Sequence, residues 1–219
     1  KNRLNFTFVF HGKKNSENLF IERYYQLLKE DGRLGVVLPE SVFDTTENKY
    51  IRLFLYKYFW IRAVVSLPQL TFEPHTSTKT SLLFAQKKTR REVEEWNAAW
   101  NRCSGDYGKL KTRAENYVKV YLEGEPRTKF SSIKDDADAD IRENLSRFLK
   151  IEFADEEAAL EISDLVAAYR TQIEEAAKID KGTVEVFGRV NTSWVFGEVA
   201  RELSLQIFMA EAENIGYKR

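Results

Sequence analysis

The sequence predicts an α/β fold followed by a mainly helical segment, and three observations carry that reading. Three short apolar, β-prone runs lie at 33–38, 61–67 and 80–86. An amphipathic helical pattern lies between the first two. Strand, helix, strand in that order is a right-handed crossover between strands that run the same way. From Arg90 onward the spacing of apolar residues turns helical and the strand-like runs thin out.

The elements follow in order. Phe6, Phe8 and Phe10 alternate with polar residues and predict a short strand. Phe20, Tyr24, Leu27 and Leu28 follow the helical period behind Ser16, a candidate N-cap. Asp31-Gly32 is the stop, with Gly32 expected to take a positive φ. The 33–38 run is nearly continuous in apolar residues, as in a parallel strand covered on both faces, and Pro39 ends it. Ile51, Phe54, Leu55 and Tyr58 mark the face of the crossover helix. The 61–67 strand closes at Pro68, and a loop holding Phe72, Pro74 and His75 leads into the third run.

Beyond it, Val93, Trp96 and Trp100 are helically spaced. Gly105, Gly108, Gly124 and Pro126 predict a loop-rich stretch containing Cys103. Tyr117, Val118, Val120 and Tyr121 read as a strand. Ile141, Leu145, Phe148 and Leu149 give one helix its apolar face. Asp155 is expected to cap a long helix through Lys178. Residues 183–203 read as strand-like and then helical, and a last apolar run spans 205–215.

Composition narrows the function. The chain has 219 residues, 43% of them hydrophobic and 13% aromatic, enough for a packed core. Its 34 basic and 34 acidic side chains balance, so no global field draws it to nucleic acid or membrane. A single cysteine, Cys103, rules out an internal disulfide and a multi-cysteine zinc site, and fits a reducing cytoplasm. With only His11 and His75, no multi-histidine metal site is expected. No apolar run approaches the roughly 20 residues of a membrane span. There is no Gly-x-Gly dinucleotide turn, no phosphate-binding P-loop and no Gly-x-Ser-x-Gly elbow.

One resemblance is specific. The stretch ENLFIERYYQLLKEDGRLGVVLPESVF, followed by IRAVVSLPQLTFEPHTSTKTSLLFAQKK, resembles the later half of the catalytic domain of adenine-specific DNA methyltransferases. The likeness is greatest to the modification subunit of type I restriction-modification systems. It rests on Gly32, Arg33, Gly35, Val37, Leu38 and Pro39, then Leu67, Pro68, Thr71 and Phe72, then Thr78, Lys79, Thr80 and Ser81. The segment IFMAEAENIGYKR at 207–219 is similar to a stretch that follows a variable insertion in those subunits.

The resemblance implies the second half of a Rossmann-like, S-adenosylmethionine-dependent methyltransferase sheet. Its strands would be a β-α-β unit plus a returning antiparallel strand. Residues 1–89 would be the C-terminal half of the α/β domain, 90–204 a mainly helical insertion, and 205–219 a strand-like return. It implies methyl transfer to the exocyclic amino group of a flipped adenine in DNA. The family's Gly-rich cofactor turn and Asn-Pro-Pro-aromatic catalytic segment do not occur here: no two of Pro39, Pro68, Pro74 and Pro126 adjoin. No catalytic residue is therefore assigned, no cofactor-binding residue is known, and a chain starting just after that segment would be inactive alone.

The implied base-stacking residue is Phe72. Thr78 and Lys79 are candidate DNA-backbone contacts, and Lys87 and Lys88 join them from the basic run KKTRR. Implied partners are DNA, a DNA-specificity subunit and a restriction subunit. An alternative reading is a non-catalytic module that docks a specificity subunit through the insertion, anchored by Trp96 and Trp100. Methylation of RNA or protein by a related sheet is a weaker third reading.

Overall fold

The structure, a computed structural model, describes residues 16–215. The strand expected at 6–10 and His11 lie outside the described residues. The chain divides into two compact units: residues 1–98 with 203–219, and residues 99–202.

The first unit contains α1 (Ser16–Leu27), β1 (Arg33–Pro39), α2 (Ser41–Asp44), α3 (Lys49–Tyr58), β2 (Phe59–Ser66), β3 (Thr80–Lys87) and β4 (Phe208–Glu211). The sheet order is β1-β3-β2-β4. β3 is antiparallel to both β1 and β2, while β4 is parallel to β2. β1 and β2 thus run the same way, as the crossover pattern requires, but β3 lies between them. The α/β class and the returning antiparallel strand stand as the sequence predicts.

Register sorts the side chains into two faces. Val36, Leu83, Val64 and Met209 share one, and Gly35, Phe84, Ala63 and Phe208 the other. Helices cover the first face over β1, β3 and β2, while Met209 of β4 on that face stays 74% exposed. Ile21 of α1, with Ile51, Phe54 and Leu55 of α3, buries Leu38, Leu83 and Ala85. Tyr25 adds ring contacts to Phe54 at 5.7 Å and Tyr58 at 4.6 Å. Asn18 ties α1 to the start of α3, donating from Nδ2 to Asn48 Oδ1 and Tyr50 Oη, both at 2.9 Å.

The second face is different. Val37 and Phe84 are each 42% exposed and Phe208 is 66% exposed. The expectation that 33–38 is covered on both faces is therefore corrected: among the described residues, helices cover only one. The turn into β1 is also corrected. Asp31 carries the positive φ, 61°, and Gly32 is needed for closeness instead. A Cβ at Gly32 would lie 2.8 Å from the Lys29 carbonyl oxygen.

The helix α4 (Arg90–Tyr121) runs through 32 residues and leads into the second unit. That unit continues with α5 (Asp138–Leu149), α6 (Asp155–Ala158), α7 (Ile162–Ala168), α8 (Arg170–Ala177), α9 (Val184–Phe187) and α10 (Thr192–Glu202). Five expectations fail here. Gly105 and Gly108 are interior to α4 and the 117–121 segment is its last turn, not loop and strand. The reason is a buried stripe of Trp100, Cys103, Tyr107, Leu110, Ala114 and Tyr117, which alternates steps of three and four. Its burial outweighs two poor helix formers.

The helix expected over 155–178 breaks into three. Asp155 opens the first, and the capping carboxylate is Glu157, whose Oε2 accepts from the Ala154 amide at 3.0 Å. Arg142 takes the Leu160 carbonyl in the first break. Residues 184–187 are helical, not strand-like.

Several buried polar groups in this unit find partners, although Ser104 Oγ is buried without one. Trp100 Nε1 donates to Phe187 O at 3.1 Å, and Trp194 Nε1 to Phe148 O at 2.8 Å. Asp136 accepts from Arg113 Nη1 at 2.8 and 2.7 Å and from the Tyr117 hydroxyl at 2.5 Å. Cys103 is buried, and burial with the nearby Glu202 pushes its thiol up to about 11. It is a packed helix residue, not the expected loop thiol.

The interior glycines of α4 generate a stability test. A Cβ at Gly105 or Gly108 would meet nothing within 4 Å. Gly105→Ala and Gly108→Ala should each stabilise the chain by about 0.5–1 kcal/mol, read as a higher urea midpoint.

Candidate functional site

The carboxyl ends of β1 and β2 and the start of β3 meet at one rim of the sheet. Open α/β sheets bind ligands outside the carboxyl ends of their strands. The 67–79 connection from β2 to β3 stands on this rim. Leu67 N donates to Thr80 O at 3.0 Å and closes its base. Inside it, Thr71 N donates to Pro68 O at 3.1 Å, and His75 N and Thr76 N reach Phe72 O at 2.9 and 3.1 Å. Gln69 Nε2 donates to Ser77 O at 2.6 Å across the loop. The loop is thus a string of hydrogen-bonded turns that displays its side chains.

Phe72 is 38% exposed on this loop. Exposed Leu70 is its near neighbour in sequence, and His75 is an exposed loop side chain. Thr78 is exposed, and its hydroxyl accepts from Thr76 Oγ1 at 2.9 Å. Lys79 Nζ lies 4.0 Å from Glu211 Oε1, both side chains facing solvent. Such an exposed pair contributes about 0–1 kcal/mol and leaves the ammonium free to change partners. Phe72, Thr78 and Lys79 therefore sit on one loop at one rim.

Lys87 and Lys88 lie at the other end of β3. Lys87 Nζ donates to Tyr25 O and Leu28 O, both at 2.7 Å, and lies 4.3 Å from the Tyr25 ring centroid. Lys88 is 2% exposed, donates to Tyr56 O at 2.8 Å and lies 4.4 Å from the Trp60 ring. The two ammoniums serve carbonyls at the C-terminal ends of α1 and α3, where the helix dipole favours a cation. They are not grouped with Thr78 and Lys79. For Lys88, burial corrects the expected DNA-backbone contact.

The rest of the basic run starts α4. Glu92 Oε2 accepts from Thr89 N at 2.7 Å and Thr89 Oγ1 at 2.9 Å, and its Oε1 accepts from Trp60 Nε1 at 2.8 Å. Burial pushes this carboxyl up, but the bonds from Thr89 and Trp60 outweigh it and hold Glu92 below the usual range. Arg90 and Arg91 pair with Glu94 and Glu95 one turn on.

Trp96 and Trp100 are 1% and 5% exposed, so neither is available as a docking anchor. Ser81 is among the residues that carry the family likeness and Glu40 follows Leu38-Pro39 at the strand end, but that the two join at the rim is not legible in the sequence. Ser81 Oγ donates to Glu40 Oε2 at 2.9 Å, and Glu40 N donates to Lys79 O at 3.0 Å. The only signal for Glu40 was its place directly after Leu38-Pro39. Among the described residues, no cluster of three His, Cys, Asp or Glu is placed to hold a metal ion, and no helix is long and apolar enough to cross a membrane.

The chain is similar to known proteins along much of its length. The family model for N-6 DNA Methylase matches residues 1–133. The type II restriction enzyme and methyltransferase RM.Eco57I of Escherichia coli is 30% identical over 100 residues, which are 46% of this chain and 9% of that protein. The type I restriction enzyme EcoEI methylase subunit of Escherichia coli is 23% identical over 186 residues, 80% of this chain and 38% of that protein. The chain thus spans well under half the length of either relative.

Lys88 gives a pH test. Burial, only partly opposed by Glu92, lowers its ammonium to about 8. Below that pH the charge is present folded and unfolded, and its burial opposes folding in full. Between about 8 and 10.5 the folded state sheds the proton first, so stability rises with pH. Relative to Lys88→Met, the parent should gain about 2 kcal/mol between pH 7.5 and 9.5, read from urea midpoints. Tyr58, which burial pushes up to about 12, has an ordinary value above this window.

Proposed function

The chain belongs to the N-6 DNA methylase family, and on that premise we propose that it is part of a restriction-modification methyltransferase that methylates the exocyclic amino group of adenine in DNA. The observation that supports this most is Phe72: an aromatic ring, partly open to solvent, on the loop that follows the Leu67-Pro68 strand end at the sheet's carboxyl rim. A base extruded from a duplex loses its stacking, worth a few kcal/mol, and an aromatic face restores part of it. Phe72 would hold the adenine ring, and Thr78 and Lys79 on the same loop would meet phosphates beside it.

The cofactor implied for this family, S-adenosylmethionine, supplies the methyl group when bound. The candidate place for it at this rim is too small. The cavity beneath the rim is about 190 Å3 and is lined largely by Phe43, Leu55, Ile61, Val64 and Met209. Sites for drug-sized ligands run from about 300 Å3. In this reading 1–89 is the C-terminal half of a methyltransferase domain, 90–204 an insertion and 205–219 a return to the sheet. Cofactor and catalytic segment then belong to polypeptide outside this chain, and a DNA-specificity subunit is the expected partner. The rival reading, a docking module anchored by tryptophans of the insertion, has no support from two rings packed inside.

The test is Phe72→Ala in the complete methyltransferase, with Phe72→Trp beside it. Loss of one stacked ring should lower kcat/KM for adenine methylation by about 10–100-fold, from about 1–3 kcal/mol per stacked base. Phe72→Trp should keep most of the activity. A target-site 2-aminopurine should brighten more in the alanine variant, because the flipped base is no longer quenched by the ring. Unchanged turnover with Phe72→Ala removes the residue from the site.

A further inference from the structure

We propose that Glu40 is a positioning residue that sets where the Phe72 ring stands; this rests on the stacking role of Phe72. Bonds within the loop fix much of its internal shape, and Thr71 and Glu73 beside Phe72 make further interactions. Among the described residues, two carboxylates tie its return leg from elsewhere in the unit. Glu211 is one, at 4.0 Å from Lys79 Nζ in an exposed pair. Glu40 is the other, and its hold is of a different kind.

Glu40 grips the return leg twice. Its amide donates to Lys79 O at 3.0 Å, and its carboxylate accepts from Ser81 Oγ at 2.9 Å. Ser81 is 1% exposed and stands opposite Leu38 on one side and Ser66 on the other, at the first rung where all three strands pair. Hydrogen bonds to an ionised acceptor in such a setting are stronger than neutral ones. Ser66 Oγ and Thr80 Oγ1 are buried beside it with no hydrogen-bond partner. Ser81 without Glu40 would add a third unsatisfied hydroxyl to that corner, so the strand start would loosen before the sheet does.

Glu40 follows Leu38-Pro39 directly. It therefore transmits the end of β1 to the loop between β2 and β3, across the rim where the base would lie. Side chains that hold others within a fraction of an ångström govern catalytic geometry without touching substrate.

The experiment has two arms. In this chain, hydrogen exchange of 67–81 is followed in Glu40→Ala, Glu40→Gln and Ser81→Ala, with urea midpoints as the check on global folding. Exchange in 67–81 should quicken at least tenfold in Glu40→Ala and Ser81→Ala, and no further in the double variant. Glu40→Gln, which keeps an acceptor oxygen, should restore most of the protection. In the complete methyltransferase, Glu40→Ala should lower kcat about tenfold while leaving DNA affinity within twofold. Unaltered loop exchange, additive effects of the two substitutions, or full methylation despite a loosened loop each overturns the proposal. If Phe72→Ala lowers turnover and Glu40→Ala does not, the stacking reading survives and the positioning role alone falls. If neither does, both fall.

Discussion

The structure depends on β3 being paired on both sides. This strand meets β1 along one edge and β2 along the other, antiparallel to each. The crossover helix α3 joins β1 and β2, yet without β3 those strands would have no shared neighbour. The arrangement also forces both ends of β3 to matter. Its first residues lie at the carboxyl rim with the Phe72 loop. Its last residue and Lys88 beyond it lie among the C-terminal carbonyls of α1 and α3, where two ammoniums are held. Directly beyond, Thr89 and Glu92 begin α4. One strand therefore places the loop, completes two helices and launches a third.

Much of this unit was legible because it follows from local chemistry. Short apolar, β-prone runs named β1, β2 and β3, a period-3.6 pattern named α3, and Pro39 and Pro68 marked the rim. Part of the family likeness, from Leu38-Pro39 through Leu67-Pro68 and Phe72 to Ser81, rests on residues at that rim. Strand order was not legible, since pairing is settled by distant segments. Nor was the exposure of the Val37 face: continuous apolar runs look the same whether one side or both are covered.

The misreadings have a common physical source, the override of local propensity by burial. Gly105 and Gly108 suggested a loop, and Tyr117 to Tyr121 a strand, because each was weighed within its own window. The heptad-like row from Trp100 to Tyr117 spans both and decides the matter. Lys88 is the opposite case. A basic run reads as a solvated surface, but a lysine four carbons long can bury its stem against Trp60 and still satisfy its ammonium on a helix carbonyl. Composition shows neither.

The uncovered side of the sheet has a practical meaning. Val37, Phe84 and Phe208 form an oily wall on the open face, and β1 has no neighbour on its outer edge among the described residues. Bare strand edges and greasy patches are what polypeptides use to stick to one another. A preparation of this chain by itself is thus built to be sticky, and its behaviour in solution will track concentration and cosolvent more than charge, which sums to zero.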